Sequence, residues 1–239
     1  MVHTRMPAIK YRRTLPIVTP VKSPIVGVPV EEEETAYLDF TTIIEAHIED
    51  PEEWLTIETN TVTFDGQENA DCRLCWDTGV AYFDGDFEVN FSIKVLTGAS
   101  VAHRVCQFSN TEDDSRTLDN INDGLGIRVS PTDPTFRLNI EVDDAAQSSE
   151  VTAALDMNQT YFCTFTRDYI GTLATLSVYS DPDRTVLVDS VNANTDRDGV
   201  TDGLVPYRYF FPFNGYNIGD GDMSSMIVSD MTITPDLPD

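Results

Sequence analysis

Lysine is almost missing from this chain: Lys10, Lys22 and Lys94 are the only three in 239 residues. Lys and Arg together number 15 against 41 Asp and Glu, a formal charge of −26. Such a charge repels nucleic-acid phosphates and anionic membrane surfaces, so neither is expected as a partner. An acidic, lysine-poor surface suits a salt-rich habitat, where ions screen self-repulsion, and equally suits ordinary solubility. Composition leaves both open. No apolar run approaches the roughly 20 residues needed to span a bilayer. Pro7, Pro16, Pro20, Pro24 and Pro29 interrupt any signal-peptide core at the N-terminus. The expected origin is therefore a host cytoplasm without classical secretion, with a final location in a virion or otherwise outside the cell. Four cysteines are too few for a disulfide scaffold. No repeat of fixed period is present, which argues against a propeller or solenoid.

What is present is apolar and extended. The chain is 41% hydrophobic and 10% aromatic, enough for a core that needs no staples. Residues 1–35 read as a separate arm and acidic hinge, and residues 36–239 as one domain. The first thirty residues hold Arg5, Lys10, Arg12, Arg13 and Lys22 and no Asp or Glu, so the remainder stands at −31 when the whole is −26. Proline fixes φ and removes amide donors, which excludes a helix or central strand there. Ile17, Val18, Ile25 and Val26 favour an extended arm that docks on a partner. Glu31 to Glu34 form a solvated hinge.

From Tyr37 onward the pattern is strands and turns. Phe87, Val89, Phe91, Ile93 and Val95 alternate with polar residues, as do Phe136, Leu138, Ile140 and Val142. Period two marks half-buried strands. Further strands are expected at 54–57, 61–64, 101–108, 161–166, 173–179, 185–191, 207–213 and 226–233. Turns are expected at Asp65-Gly66, Asp84-Gly85, Asp123-Gly124, Asp181-Pro182, Asp198-Gly199 and Asn214-Gly215. Many short strands without a long amphipathic helix predict an all-β sandwich or jelly roll.

The order of segments carries a resemblance. "YLDF" at 37–40 is followed by "WLTIETNTVTF" at 54–64 and "CRLCWDTGVAYFDGDFEVNFSIKV" at 72–95. "YFCTFTRD" at 161–168, "LSVYSDPDRTVLVDSV" at 176–191, "YRYFFPFNGYNIGDGD" at 207–222 and "MIVSDMTI" at 226–233 complete it. The body resembles the concanavalin A-like lectin/glucanase superfamily in its laminin-G-like form, as met in phage and environmental proteins. The resemblance implies a concanavalin A-like jelly-roll sandwich of two antiparallel sheets, with the first and last strands adjacent. It implies no particular function.

Four constellations could carry chemistry. The glucanase branch places carboxylates as Glu-x-Asp-x-x-Glu on one strand. The nearest run, Glu141-Val142-Asp143-Asp144-Ala145-Ala146, lacks the last Glu and reads as a strand end with an acidic turn, so the chain is expected not to be an enzyme. Asn194, Asp196, Asp198, Val200 and Asp202 space oxygen donors as in the first nine places of a calcium loop, with Gly199 at the sixth. Val205 stands where the bidentate Glu belongs, and a polar turn explains the same residues. Cys72-x-x-Cys75 and His103-x-x-Cys106 have the ligand count of a zinc site. On strands, however, positions i and i+3 face opposite ways, so core cysteines are expected. Tyr207, Tyr209, Phe210, Phe211 and Phe213 read mainly as core, and Tyr216, beside a turn, as the ring most available to stack on a glycan.

The function expected from these features is a non-enzymatic virion structural protein, a capsid decoration or head/tail subunit held by its arm. Its partners would be other virion proteins or copies of itself in a homo-oligomer. The alternative is a carbohydrate-binding module or adhesin, with calcium as its only candidate cofactor.

Overall fold

The computed structural model describes residues 36–37, 48–67, 72–78, 83, 85–98, 103–121, 124–143, 148–170, 172–195, 206–215 and 223–235. Two antiparallel sheets account for nearly all of them. The first contains, in spatial order, β14 (Leu187–Asn194), β13 (Leu173–Tyr179), β12 (Tyr161–Asp168), β6 (Phe87–Thr97), β16 (Met223–Pro235), β4 (Thr61–Gln67) and β3 (Leu55–Glu58). β1 (Ala36–Tyr37) pairs with β16, so the first and last strands are neighbours. The second contains β10 (Ser148–Val151), β9 (Thr135–Asp143), β8 (Gly124–Thr132), β7 (His103–Ser109), β15 (Tyr209–Asn214), β5 (Arg73–Asp77) and β2 (Ile48–Glu49). β11 (Leu155–Asp156) pairs with β9.

Alternation explains the core. Phe87, Val89, Phe91, Ile93 and Val95 of β6 are buried with Phe136, Leu138, Ile140 and Val142 of β9 in one apolar cluster. The partners of this cluster come from both sheets, as sandwich packing requires. Tyr207, Phe210 and Phe213 join it, which bears out the core reading of those rings. Tyr209 and Phe211 are also buried, but in a second small cluster with Cys75 and Leu118.

Three local readings are corrected by the structure. Asp65-Gly66 is not a turn; both residues lie inside β4, and the chain reverses at Thr59-Asn60. Glycine is needed at 66 because a Cβ there would stand 2.5 Å from Trp54 Cγ. Gly66→Ala is expected to force the indole aside and cost about 1–3 kcal/mol, read as a lower urea midpoint with an unchanged slope. β8 was not foreseen, since Gly124, Gly126 and Pro131 weaken its strand signal. A short helix, α1 (Ser115–Ile121), was also not foreseen. Its start is set by Asp114, whose carboxylate accepts the amides of Arg116 at 2.9 Å and Thr117 at 3.1 Å.

The cysteines divide between the two clusters. Cys72 lies in the main core and Cys75 in the second cluster, on opposite faces as alternation predicts. His103 and Cys106 depart from that rule. His103 packs its ring 4.5 Å from Phe64 and 5.5 Å from Phe213. Cys106, three residues on, also enters the main core. A β-bulge breaks the β7–β8 register between Val105 and Phe108, and Cys106 adopts a positive φ of 50° within it. The extra residue turns the thiol inward. Burial raises the thiol pKa values of Cys75, Cys106 and Cys163. These are inert core groups.

Candidate functional site

The outward positions of the second sheet carry an unusual charge for this chain. Leu125, Ile127 and Val129 of β8 point into the core, so Gly126, Arg128 and Ser130 face out. By the same alternation Arg137, Asn139 and Glu141 of β9 face out. Pairing aligns these residues across strands. Arg73 stands opposite Asn214, Asn214 opposite Arg104, Arg104 opposite Arg128, and Arg128 opposite Asn139. In the next row Gly126 stands opposite Glu141, and on the other side Ser130 stands opposite Arg137.

Glu141 is the hinge of this face. One carboxylate oxygen accepts from Arg104 Nη2, and the other accepts from Arg128 Nη1 at 3.0 Å. Arg104 is buried, with a side-chain exposure of 2%, whereas Arg128 keeps 39% of its side chain in solvent. Arg137 is exposed. Gly126 lets β8 pack closely against Gln107 of β7: a Cβ there would approach Gln107 Cα to 3.0 Å. Asn214 Nδ2 donates to Gln107 Oε1 at 2.9 Å and to the Asp113 carbonyl at 3.1 Å, tying the face to the segment that leads into α1. Asn139 Nδ2 reaches Ser130 Oγ at 3.4 Å. Arg73 pairs with Glu49 of β2.

The other end of the face is closed. Leu118 of α1 joins Cys75, Tyr209 and Phe211. Arg208 forms a bidentate pair with Asp77 at 2.8 and 2.7 Å and lies 4.8 Å from the Tyr209 ring centroid. The Asp77 carboxylate raises the Arg208 pKa. Burial, then the charge of Asp77, raises that of the Tyr209 phenol. The accessible part of the face is therefore the corner made by Arg128, Ser130, Arg137 and Asn139.

Arg104, Arg128 and Arg137 share this face with Glu141, a gathering of arginine on a chain that carries −26. Planar guanidinium forks flanked by an amide and a hydroxyl are suited to carboxylate or sulfate groups. Sequence reading missed the site. Glu141 does lie near the end of β9, as expected, but it holds two arginines, which no local pattern shows. The available signal was the polar half of two period-two strands, Arg128 with Ser130 and Arg137 with Asn139 and Glu141.

The other expected site residues fall elsewhere. Asn194 ends β14, and Asp196, Asp198, Val200 and Asp202 lie outside the described residues. Tyr216 lies outside them too, as do residues 1–35, and with them Arg5, Lys10, Arg12, Arg13, Ile17, Val18, Lys22, Ile25 and Val26. Among the described residues no group of three or more His, Cys, Asp or Glu could hold a metal ion.

No protein-family model matches the chain, and no curated protein matches it. Solved structures do. A functionally unknown protein from Saccharomyces cerevisiae has a TM-score of 0.51 at 11% identity, covering 82% of this chain and 99% of the other. An alginate lyase from Alteromonas sp. 272 has a TM-score of 0.50 at 9% identity, with 79% and 92% covered. A family 7 alginate lyase solved in complex with substrate has a TM-score of 0.51 at 11% identity, with 78% and 84% covered. The chain has the concanavalin A-like jelly-roll fold. These likenesses also correct the expectation that it is not an enzyme. The same fold carries lyases, so the missing glucanase carboxylate run excludes one hydrolytic arrangement and not catalysis.

Proposed function

We propose that this protein engages acidic polysaccharides through the outer face of its second sheet. The observation that carries the reading is the pair of solvent-reaching arginines, Arg128 and Arg137, on an otherwise strongly acidic chain. Positive charge placed against the overall field needs a reason, and an anionic ligand group supplies one. Glu141, itself fixed by Arg104, holds Arg128 from behind, so one guanidinium is pre-oriented and Arg137 is free to close on the ligand. The fold is one on which alginate lyases are built, and alginate is an acidic glycan.

Binding is tested by titrating the protein with a soluble polyuronate and with a neutral glucan of similar length. The expected result is binding of the polyuronate alone, weakened by added salt. Arg128→Gln and Arg137→Gln should each weaken it about tenfold, the loss of one charge-assisted contact. Equal affinity for the neutral glucan, or wild-type affinity in the double variant, would overturn the reading. A second reading, favoured by the fold shared with the lyases, is that the bound glycan is also cleaved by elimination. Incubation with the polyuronate and detection of the unsaturated product by ultraviolet absorbance tests it. The virion reading depends on residues 1–35, and nothing among the described residues bears on it.

A further inference from the structure

Buried polar atoms without a partner are gathered on the face just described. Among the described residues they include Gln107 Nε2, Arg128 Nε, Asn139 Oδ1 and Asn214 Oδ1, all on the outer side of the second sheet. Arg184 Nε and Thr195 Oγ1 are further cases, both outside that sheet. Folded proteins leave few such atoms unpaired, so a cluster of them on one sheet face calls for a guest that supplies the missing bonds. Gln107 and Asn214 are fully buried, whereas Arg128 and Asn139 border the open corner.

The outer pair is complementary. Arg128 and Asn139 stand directly opposite each other on β8 and β9. Glu141 occupies Arg128 Nη1 at 3.0 Å, which leaves the Nε–H as a donor. Asn139 spends its Nδ2 on Ser130 and keeps Oδ1 as an acceptor. A carboxylate or sulfate oxygen satisfies the donor, but it has no proton to give and is repelled by the amide oxygen. An alcohol serves both: its oxygen accepts from Nε and its proton goes to Oδ1. Both atoms are covered in the free chain. Arg128 keeps 39% of its side chain in solvent, so turning about its outer bonds admits the guest without moving the strands.

We infer that Asn139, together with Arg128 Nε, determines specificity by reading a free sugar hydroxyl beside the bound acidic group. This role rests on the acidic-polysaccharide reading of the face and deepens it. Charge brings the ligand to Arg128 and Arg137, and the hydroxyl then selects among ligands of equal charge. A site built to hydrogen-bond a hydroxyl rejects an analogue that lacks it, because its own groups are left unpaired. Glycans whose hydroxyls are esterified are therefore disfavoured even with every carboxylate intact.

Two probes of equal charge decide this: a soluble polyuronate, and the same polymer with its hydroxyls O-acetylated and its carboxylates untouched. The wild-type chain is expected to bind the acetylated polymer about tenfold more weakly, the loss of one hydrogen bond to a charged group. Added salt should weaken both polymers and leave their ratio unchanged, since the hydroxyl is neutral. Asn139→Leu keeps the side-chain volume and removes the acceptor. It should weaken the unmodified polymer about tenfold and leave the acetylated one as it was. If that variant does not fold, Asn139→Ala takes its place, read on the unmodified polymer alone. Equal wild-type affinity for the two polymers would overturn the role of Asn139 and leave the binding reading standing. So would wild-type affinity of the variant for the unmodified polymer, because acetylation then acts through bulk alone. Failure of the wild-type chain to bind either polymer would remove both.

Discussion

Glu141→Ala is expected to be among the most damaging single substitutions in this protein. Its carboxylate is the shared partner of Arg104 and Arg128. Arg104 is buried, and removing Glu141 takes from that guanidinium its charged partner in a place where water does not replace it. Breaking a buried pair from one side costs about 3–5 kcal/mol. For a chain of this size that lowers the melting temperature by roughly 10 °C, within the 2–4 °C per kcal/mol typical of such domains. Arg128→Gln removes the other partner of the same carboxylate but leaves a half-exposed position, so its cost should stay near the ~1 kcal/mol of surface pairs. Replacing both buried partners, Arg104→Met with Glu141→Leu, should recover much of the loss, because no charge is then stranded. Urea unfolding of the three variants beside the wild type checks the ranking. If Glu141→Ala costs no more than Arg128→Gln, Glu141 does not hold Arg104 in the way described.

Acid should destabilise the fold well before most carboxylates titrate, and His103 is the reason. Its ring is buried against Phe64 and Phe213 and shares a hydrogen bond with Ser224 Oγ at 3.0 Å. Burial, with a smaller contribution from the Arg104 charge, lowers its pKa from 6.5 to about 3. The unfolded chain therefore binds a proton near pH 6.5 that the folded chain refuses until about pH 3. The stability associated with the neutral ring is fully present above pH 6.5 and is lost progressively as the pH falls through that window. The slope is about 1.4 kcal/mol per pH unit, or about 2 kcal/mol between pH 6.5 and pH 5. His103→Gln keeps a polar group for Ser224 and removes the titration. Its stability should be lower than wild type near pH 7 and nearly flat down to about pH 5, where carboxylates take over. Urea midpoints at three pH values in that window decide it. Equal slopes for variant and wild type would show that His103 takes up its proton without unfolding.

Both effects involve β7, through Arg104 and His103, and β7 is the strand where tertiary structure overrode local pattern. His103 and Arg104 are adjacent, one facing the core and one facing out, as period two requires. Two residues later the bulge at Cys106 shifts the phase, so Cys106 and Phe108 both enter the core and Gln107 stands outward beside Gly126. A phase shift leaves no mark in hydrophobic alternation. It is set by pairing with β8 and β15, whose residues are distant in sequence.

The alternating segments by themselves determined the class of fold. β6 and β9 are legible because burial on one face and solvent on the other imprint a period of two on the residues, whatever the partners. The adjacency of the first and last strands, β1 and β16, followed from the resemblance of the whole pattern, and the order of the others did not. Only the tertiary structure decided the candidate site. Arg104 and Glu141 are 37 residues apart and meet because β7, β8 and β9 lie side by side in one sheet. It likewise decided that Val186, Leu187 and Val188, in a segment whose sequence reads only as a strand, stand exposed at an edge. A sequence records which residues prefer to leave water. Which polar groups then face one another, and which apolar ones find no cover, depends on long-range pairing that no local window contains.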